Sequence, residues 1–175
     1  QIAEDISSSL AKESVAIEIN DELRDLSYSI NEDASIRIIK RNAEEALELI
    51  RHDCAHVMAE AVQELFPGTQ VTIGPAIEHG FYYDFSFKKS FLSEDLEKIE
   101  KKMIEIIDKG LPFKREIWDR KQAINYFNEQ GEVYKAEIIK DLPEEEEISI
   151  YKQGKWHDLC RGPHLPTTKH VGKSF

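Results

Sequence analysis

This sequence of 175 residues contains few cysteines and no apolar segment long enough to span a membrane. With only Cys54 and Cys160, it cannot carry the disulfide framework of a small secreted domain, and we expect a reducing compartment, the cytoplasm. No apolar run reaches the length of a membrane span and no basic-then-apolar leader opens the chain, so no membrane partner is expected. Because Gln1 rather than Met stands first, we expect a piece of a longer protein, and the missing leader carries little weight.

Positive charge is also in short supply. The 23 basic residues face 34 acidic ones, a net charge of −11, which disfavours a general nucleic-acid binder because phosphates prefer a positive surface. The imbalance is local: residues 141–147 form an acidic block, whereas residues 148–175 carry five basic residues against Asp158 alone, a net charge of +4 (5 − 1). Such a basic end suits a domain that contacts one end of an RNA, and an ordinary solvated surface is the alternative.

The apolar pattern predicts helices and strands in irregular alternation. An apolar content of 41% is typical of a globular protein, and the mixture favours an α+β fold, an antiparallel or mixed sheet with packed helices. Residues 1–41 predict a short helix and strands at 15–19 and 35–40, too little for an independent core, so we expect an incomplete small domain. The helices predicted beyond it cover 42–65, 93 to 110, 119 to about 131, with Asp119 and Gln122 as a capping box, and 132–140. The predicted strands cover 71–73, 80–87 and 113–118, and a hairpin follows with strands over 148–152 and 155–160 joined by a Gln153-Gly154 turn.

Caps and apolar faces can be assigned to the two longest predicted helices. Asn42 is the expected N-cap of the first, with Glu45 in the capping-box position, and Pro67-Gly68 ends it. At about 100° per residue one stripe of this helix is expected to be buried, formed by Leu47, Ile50, Cys54, Met58, Ala61 and Leu65. The second helix, capped by Ser93 and ended by Gly110, has a predicted apolar face of Leu96, Ile99, Met103 and Ile106.

Two histidines stand four residues apart inside the first helix, in the motif Arg51-His-Asp-Cys-Ala-His56. His52 and His56 therefore share a face, which lies about 140° and 180° around the helix from Leu47 and so away from the apolar stripe. A pair of imidazoles on a polar face suits a functional cleft, whereas a solvated ion pair between Glu48 and His52 is the plain alternative.

A second motif, Asp158-Leu-Cys-Arg-Gly-Pro-His164, comes at the end of a predicted strand. Period-two alternation puts Asp158 and Cys160 on the same face of that strand, and the turn that follows presents His164. An ordinary turn with a buried cysteine is the alternative.

Together the two motifs supply three imidazoles and one thiol, ligand types that suit zinc. The first motif also resembles the zincin pattern His-Glu-x-x-His, with Asp53 in the place of the general-base Glu. Because Asp is one methylene shorter, a base at this position would reach less far, which weakens the zinc-hydrolase interpretation without removing it.

Four motifs, in this order, resemble those of bacterial-type threonyl-tRNA synthetases, and the resemblance covers essentially the whole chain. They are Arg51-His-Asp-Cys-Ala-His56, Ile73-Gly-Pro-Ala-Ile-Glu-His-Gly-Phe-Tyr-Tyr-Asp84, Gly131-Glu-Val-Tyr-Lys135 and Asp158-Leu-Cys-Arg-Gly-Pro-His164. The resemblance implies that residues 1–41 are part of a ubiquitin-like TGS domain of β-grasp fold, missing its first strands, and that residues 42–175 form the tRNA synthetase editing domain. The family's aminoacylation core, with its ATP and zinc, is not present in this segment.

The activity implied by the resemblance is editing, the hydrolysis of serine wrongly esterified to threonine tRNA. A pocket that accepts threonine discriminates against serine, one methyl smaller, by only about 10–200-fold, so a second site must admit serine and exclude threonine. The implied partners are the acceptor end of tRNA and, for the full-length enzyme, a second subunit of a homodimer.

Metal use differs between two families that this site resembles. In the editing domain of alanyl-tRNA synthetase the same His-x₃-His and Cys-x₃-His set holds zinc, whereas the threonyl family is understood to edit without metal. No cofactor is therefore expected for the editing step. If zinc is bound, its expected ligands are His52, His56, Cys160 and His164.

The resemblance also suggests roles for the polar residues. His52 would position or activate the attacking water, since neutral imidazole titrates near neutral pH, and His56 and His164 would orient it or relay protons. Lys135 would stabilise the negative charge that develops on the ester, and Asp158 would hold the amino group or hydroxyl of the substrate.

Three further residues complete the predicted site. Cys160 would shape the serine pocket. Tyr83 and Gly74 would contact the substrate, with Tyr83 stacking on or hydrogen-bonding to the terminal adenosine; an ordinary place in a sheet core is the alternative for the tyrosine.

Three alternative functions follow from the same residues. Cys160 beside a histidine is also the arrangement of a nucleophilic pair, although a water-based route needs no acyl-enzyme. The second alternative is a zinc-dependent hydrolase. The third is a non-catalytic tRNA-binding module, which would bind acceptor-stem RNA in a salt-sensitive manner without cleaving the ester.

Overall fold

The structure is a computed structural model that describes residues 2–175. Helices and small antiparallel sheets alternate irregularly along these residues, so the predicted α+β class is confirmed. Among the described residues, none of the helices has the length and apolar character of a membrane span. The helices are α1 Ile2–Ile6, α2 Ser8–Glu13, α3 Glu44–Leu65, α4 Ser93–Lys109, α5 Arg120–Glu129 and α6 Val133–Asp141, with a 3₁₀ turn at Thr168–His170. The strands are β1 Ser14–Ile19, β2 Glu22–Arg24, β3 Ile36–Lys40, β4 Gln70–Val71, β5 Ala76–Ile77, β6 Gly80–Phe81, β7 Phe85–Ser86, β8 Phe113–Trp118, β9 Ile148–Gln153 and β10 Trp156–Leu159.

Residues 2–41, which we call the amino-terminal lobe, form a three-stranded antiparallel sheet in the order β2-β1-β3, preceded by α1 and α2. The branched side chains of Val15 and Ile39 are fully buried in one cluster with Ala46 and Leu49 of α3. The apolar core is therefore continuous across the predicted domain boundary at residues 41 and 42. The assignment of this lobe to a TGS domain stays a prediction.

Helix α3 passes through the centre of the molecule. It begins at Glu44 with Ala43 as its N-cap, so the predicted cap at Asn42 is wrong; residues 41–43 form a turn that ends with the Ala43 N–H donating to the Lys40 carbonyl. The predicted stripe is wrong at Leu47, which is 46% exposed. Because the amino-terminal lobe, α4 and the β5–β6 region all pack against α3, its buried surface extends well beyond one stripe.

Helix α4 packs on α3 through part of its predicted face. Ile99, Met103 and Ile106 are buried as predicted, whereas Leu96, in the first turn of the helix, is exposed and the prediction is wrong there. The helix starts at Ser93 with Leu92 in the cap position, so the predicted Ser93 cap is wrong. Gly110 ends the helix in the left-handed region with a φ of 62°, as predicted.

The second half of the chain contains the sheet β10-β9-β8, covered by α5 and α6. Strand β8 and the β9–β10 hairpin match the predicted strands. The predicted cap of α5 is confirmed, since the Asp119 carboxylate accepts the backbone N–H groups of Lys121 and Gln122. The predicted strands over 71–73 and 80–87 are only partly formed, as four two-residue strands that make two short ladders.

Candidate functional site

A cleft of about 790 Å³ opens between the middle of α3, the loop that leads into β5, helix α6 and the end of the β9–β10 hairpin. It is lined by every residue predicted for the site except His164, which lies directly behind Cys160. Leu23 of the amino-terminal lobe also contributes to the wall. The two motifs, more than a hundred residues apart in sequence, therefore meet in one place.

The His-x₃-His pair and the Cys-x₃-His pair converge at the bottom of this cleft. The ligand-type atoms of His52, His56, Cys160 and His164 all lie within 4.8 Å of one another. Their rings meet edge-on or tilted, with centroids 4.6–4.8 Å apart. The predicted convergence is confirmed, and the solvated Glu48 ion pair is not what the structure shows for His52, which is half-buried against the cysteine.

Cys160 contacts two of the three histidines in this group. Its Sγ lies 3.1 Å from His52 Nε2 and 3.3 Å from His164 Nε2, and it accepts the Gly162 N–H at 3.3 Å. Burial raises the pKa of the thiol to about 12. Because the thiolate rather than the thiol is the nucleophile, this environment disfavours covalent catalysis by Cys160.

The three imidazoles are neutral at physiological pH. Burial lowers the pKa of His52 and of His164 to about 4, and burial together with the neighbouring histidines lowers the pKa of His56 well below its ordinary value. A neutral imidazole retains one ring nitrogen that can accept a proton. The group can therefore orient water and accept protons without carrying charge into the cleft.

A second polar group lies beside the imidazoles and consists of Lys135, Asp158 and Tyr83. Lys135 Nζ lies 2.5 Å from Asp158 Oδ1, and the Tyr83 hydroxyl donates to Asp158 Oδ2 at 2.6 Å. Lys135 Nζ also donates to the Tyr83 hydroxyl at 3.1 Å, and His56 Nδ1 lies 3.4 Å from Asp158 Oδ2. All four residues are buried. The Asp158 carboxylate is thus engaged by protein groups, which favours a positioning role over a direct hold on the substrate.

Tyr83 is held in place by its neighbours on the chain. A Cβ atom added at Gly74 would lie 2.1 Å from Cδ2 of the Tyr83 ring, so the glycine backbone lies directly against that ring. Phe85 stacks on the same tyrosine with centroids 5.4 Å apart, and only 7% of Tyr83 is exposed. This packing leaves little ring surface for a base, and it favours a role for the hydroxyl over stacking on the adenosine.

Asp53 has a different place from the one that the zincin pattern predicts. Its side chain is fully buried, Oδ1 lies 2.6 Å from His164 Nδ1, and Oδ2 accepts the Leu165 N–H at 2.8 Å. It faces away from the cleft and cannot serve there as a general base, so that part of the alternative is wrong. The contacts of Asp53 with His164 and Leu165 hold it on the inner side of α3.

Two residues of the site region escaped sequence reasoning. Asp25, in the amino-terminal lobe, accepts hydrogen bonds from the His164 N–H and the Tyr151 hydroxyl. Arg51 Nη1 donates to the carbonyls of Ile77 and Glu78 and so ties the β5–β6 hairpin to α3. The partners of these two residues lie 26 to 139 positions away, so no pattern in the neighbouring sequence indicates the contacts. Arg51 belongs to the first motif, but the motif does not indicate its partners.

The basic end of the chain does not form the exposed positive face that its composition suggests. Lys152 pairs with Glu116 at 2.8 Å, Arg161 with Glu146 at 2.5 Å, and Lys173 with Asp108 at 2.7 Å. Acidic residues from other segments thus neutralise three of the five basic side chains. The local net charge of +4 holds for the sequence and not for the folded surface.

The four ligand-type residues fit a zinc ion in type and number. Zinc with bonds of about 2.0–2.3 Å in a tetrahedron holds its ligand atoms roughly 3.3–3.8 Å apart, and small shifts would bring the observed group to that spacing. The ring nitrogen of His164 that faces away from Cys160 lies against the Asp53 carboxylate, an arrangement common for metal-bound histidines. The residues present therefore fit the metal, and its use stays a prediction.

Comparison with known proteins gives one consistent relationship. Residues 148–175 match the family model described as the threonyl and alanyl tRNA synthetase second additional domain. Threonine–tRNA ligases of Pelagibacter ubique and Rhodospirillum rubrum are 57% and 58% identical over 175 residues, 100% of this chain. That of Maricaulis maris is 58% identical over 174 residues, 99% of this chain. The chain spans 27% of the length of each of these relatives. Over its whole length the chain is similar to one segment of these threonine–tRNA ligases.

Proposed function

We propose that this chain hydrolyses the ester between serine and threonine tRNA, as the editing part of a threonyl-tRNA synthetase. The observation that carries the proposal is the convergence of three neutral imidazoles, one thiol and a buried lysine–aspartate–tyrosine group in a single cleft. Ester hydrolysis needs a positioned water, a proton acceptor and stabilisation of the developing oxyanion, and these groups are of the right type for each task.

His52 is the group we assign to the attacking water. It is the least buried of the three clustered histidines and lines the cleft, and its lowered pKa keeps it ready to accept a proton at neutral pH. His56, which also lines the cleft, and His164, which lies behind Cys160, are both buried and are assigned to orienting His52 and Cys160 or to relaying the proton.

Lys135 is assigned to the negative charge that builds on the ester oxygen in the transition state. Its ammonium group is fixed by Asp158 and Tyr83 at the edge of the cleft, so little reorganisation is needed when the charge appears. Asp158 and Tyr83 act in this scheme by holding the ammonium group in place.

Cys160 is assigned to substrate selection. Its thiol lies between His52 and His164 at the bottom of the cleft, and in this scheme it occupies the space that the additional methyl group of threonine would need. A clash at one methyl group is the kind of difference by which a second sieve separates threonine from serine.

The proposal is tested by hydrolysis of purified seryl- and threonyl-tRNA in single-turnover reactions. We expect release of serine with threonyl-tRNA largely spared, and a fall of about 100-fold or more in the rate for His52→Ala with the fold retained. His79→Ala is the matched control, since His79 is almost fully exposed on the β5–β6 hairpin. Equal hydrolysis of both esters, or of neither, contradicts the proposal; acceptor-stem binding without hydrolysis favours a tRNA-binding module.

Zinc-dependent hydrolysis is the second candidate, favoured by the spacing of the His52, His56, Cys160 and His164 ligand atoms. When bound, zinc would supply Lewis-acid activation of water. Metal analysis of the purified protein separates the two routes. Stoichiometric zinc whose removal abolishes hydrolysis supports this candidate, whereas full activity in chelator supports the metal-free route.

We extend the proposal to the longer protein only by analogy with the relatives. Aminoacylation of threonine tRNA, with its ATP and zinc, would belong to segments outside this chain, as would the contacts of a homodimer. The partner proposed for the chain itself is the acceptor end of tRNA.

A further inference from the structure

We propose that Asp25 of the amino-terminal lobe is a positioning residue for His164, so that the lobe is a working part of the site and not only a neighbour of it. The inference rests on the proposed function for its kinetic meaning, and its structural content stands apart from that function. Nothing in the sequence motifs points to Asp25, which follows β2 and lies 139 residues before His164.

Both oxygens of the Asp25 carboxylate are used. Oδ1 accepts the backbone N–H of His164 at 2.8 Å, and Oδ2 accepts the Tyr151 hydroxyl at 2.7 Å. One side chain from the lobe therefore fixes the backbone at His164 and a residue of β9 together.

Tyr151 passes this constraint on to the imidazole. Its ring packs against the His164 ring with centroids 4.1 Å apart. A Cβ atom added at Gly162 would lie only 2.0 Å from the Tyr151 hydroxyl. The turn before His164 therefore passes closely over the tyrosine. The orientation of the His164 ring and the path of the turn that precedes it thus both depend on the position of Tyr151.

Asp25 and Asp53 act on successive residues. Asp25 accepts the N–H of His164, and Asp53 accepts the N–H of the next residue, Leu165. With both amides held, the His164 ring is fixed with Nε2 at 3.3 Å from Cys160 Sγ. A displacement of about 1 Å in such a group can lower a rate by about 100-fold.

Docking of the lobe does not depend on Asp25 alone. Arg41 donates from Nε to the His170 carbonyl at 2.9 Å and from Nη2 to the Val171 carbonyl at 3.1 Å, and Val15 and Ile39 are buried in the shared core. Arg41 is therefore a matched control, since it fastens the same lobe to the same part of the chain without contacting His164.

The experiment compares Asp25→Ala, Asp25→Asn and Arg41→Ala in the full chain. Seryl-tRNA hydrolysis gives kcat and KM, and ¹⁵N NMR of the imidazoles reports the surroundings of His164. We expect Asp25→Ala to lower kcat by about 10- to 100-fold with KM little changed and to shift the His164 signals. Asp25→Asn should restore most of kcat, because its amide can accept the His164 N–H and donate to the Tyr151 hydroxyl. Arg41→Ala should leave kcat and the His164 signals close to those of the unmodified chain.

Wild-type kcat and unchanged His164 signals in Asp25→Ala would overturn the inference, as would an Arg41→Ala variant with the same losses. If Asp25→Ala does not fold, Tyr151→Phe removes only the hydroxyl, and unshifted His164 signals there count against the inference. If the unmodified chain hydrolyses no ester, the proposed function fails, and the NMR comparison still decides the role of Asp25.

Discussion

The contact between Gly74 and the Tyr83 ring makes a prediction about a single methyl group. In Gly74→Ala the new Cβ would lie 2.1 Å from the ring, so the loop or the tyrosine must move. Overpacking of this kind costs about 1–3 kcal/mol, and seryl-tRNA hydrolysis should fall because the Tyr83 hydroxyl leaves Asp158. Urea unfolding and single-turnover hydrolysis measure the two effects.

A second substitution tests that explanation. On a Tyr83→Ala background the same Gly74→Ala change should cost much less stability, because the ring it collides with is gone. Equal costs on the two backgrounds would show that the glycine is needed for a different reason.

Glu60 gives a prediction about pH. Its side chain is buried on α3 beside Gln153, which donates a hydrogen bond to it, and burial raises the pKa of the carboxyl to about 7. The folded protein therefore keeps a proton that the unfolded chain releases above about pH 4.5, so stability from this group is lost as the pH rises from 4.5 to 7. Glu60→Gln, which keeps the hydrogen bond without the charge, should be more stable than the unmodified chain by about 1–3 kcal/mol at pH 8 and equally stable at pH 4.

Thermal or urea unfolding across this pH range checks the prediction. A gap that is the same at pH 4 and pH 8 would mean that the effect comes from packing and not from titration. Gln122→Glu on the largely exposed side of α5 is a control for adding or removing a carboxylate away from a buried site.

The residues of the site differ in how far sequence could predict them. Two compact motifs contain His52, His56, Cys160 and His164, and the spacing within each motif puts its residues on one face of a helix or strand. Their convergence could therefore be predicted from the sequence. The roles of Asp25 and Asp53 were not, because each depends on a partner 112 to 139 residues away that only the folded chain brings close.

Helix α5 offers a test at the level of a secondary-structure element. Its cap, Asp119, accepts two backbone N–H groups, and removal of such a cap costs about 1 kcal/mol. Asp119→Ala should lower the free energy of unfolding by that amount without changing seryl-tRNA hydrolysis, since α5 does not line the cleft. Asp119→Asn, which also caps helices well, is the control and should lose little. A large loss of hydrolysis in Asp119→Ala would show that α5 supports the site.

Elements whose ends are defined by a few adjacent residues can be predicted from the sequence. Elements whose ends or buried faces depend on contacts with distant parts of the chain cannot. Strand β8, the cap of α5 and Gly110 at the end of α4 depend on a few adjacent residues. The start of α3 and its buried face depend on three other parts of the molecule that pack on it, and this explains why Leu47 was wrongly placed in the core. The β4–β7 segment has ladders two residues long, too short for alternation along the sequence to define.

On the scale of the whole molecule, the paired basic residues predict a weak dependence of RNA binding on salt. Only Lys155 and Lys169 of the basic end have no ion pair with an acidic side chain among the pairs found in residues 2–175. Two phosphate contacts would reduce affinity by about tenfold between 50 and 200 mM salt. Fluorescence anisotropy with an acceptor-stem RNA measures this slope. A fall of a thousandfold would mean that binding breaks the internal ion pairs and frees the cations for phosphates.

The apolar core that runs from Val15 and Ile39 into α3 has a consequence for how this chain can be varied. Two parts that bury the same side chains against each other must change together, since a new residue on one side alters the fit of the other. Exchange of the first forty residues between relatives should therefore succeed only with matched changes on Ala46 and Leu49. The predicted boundary between residues 41 and 42 is therefore a boundary in the sequence alone, because the apolar core continues across it.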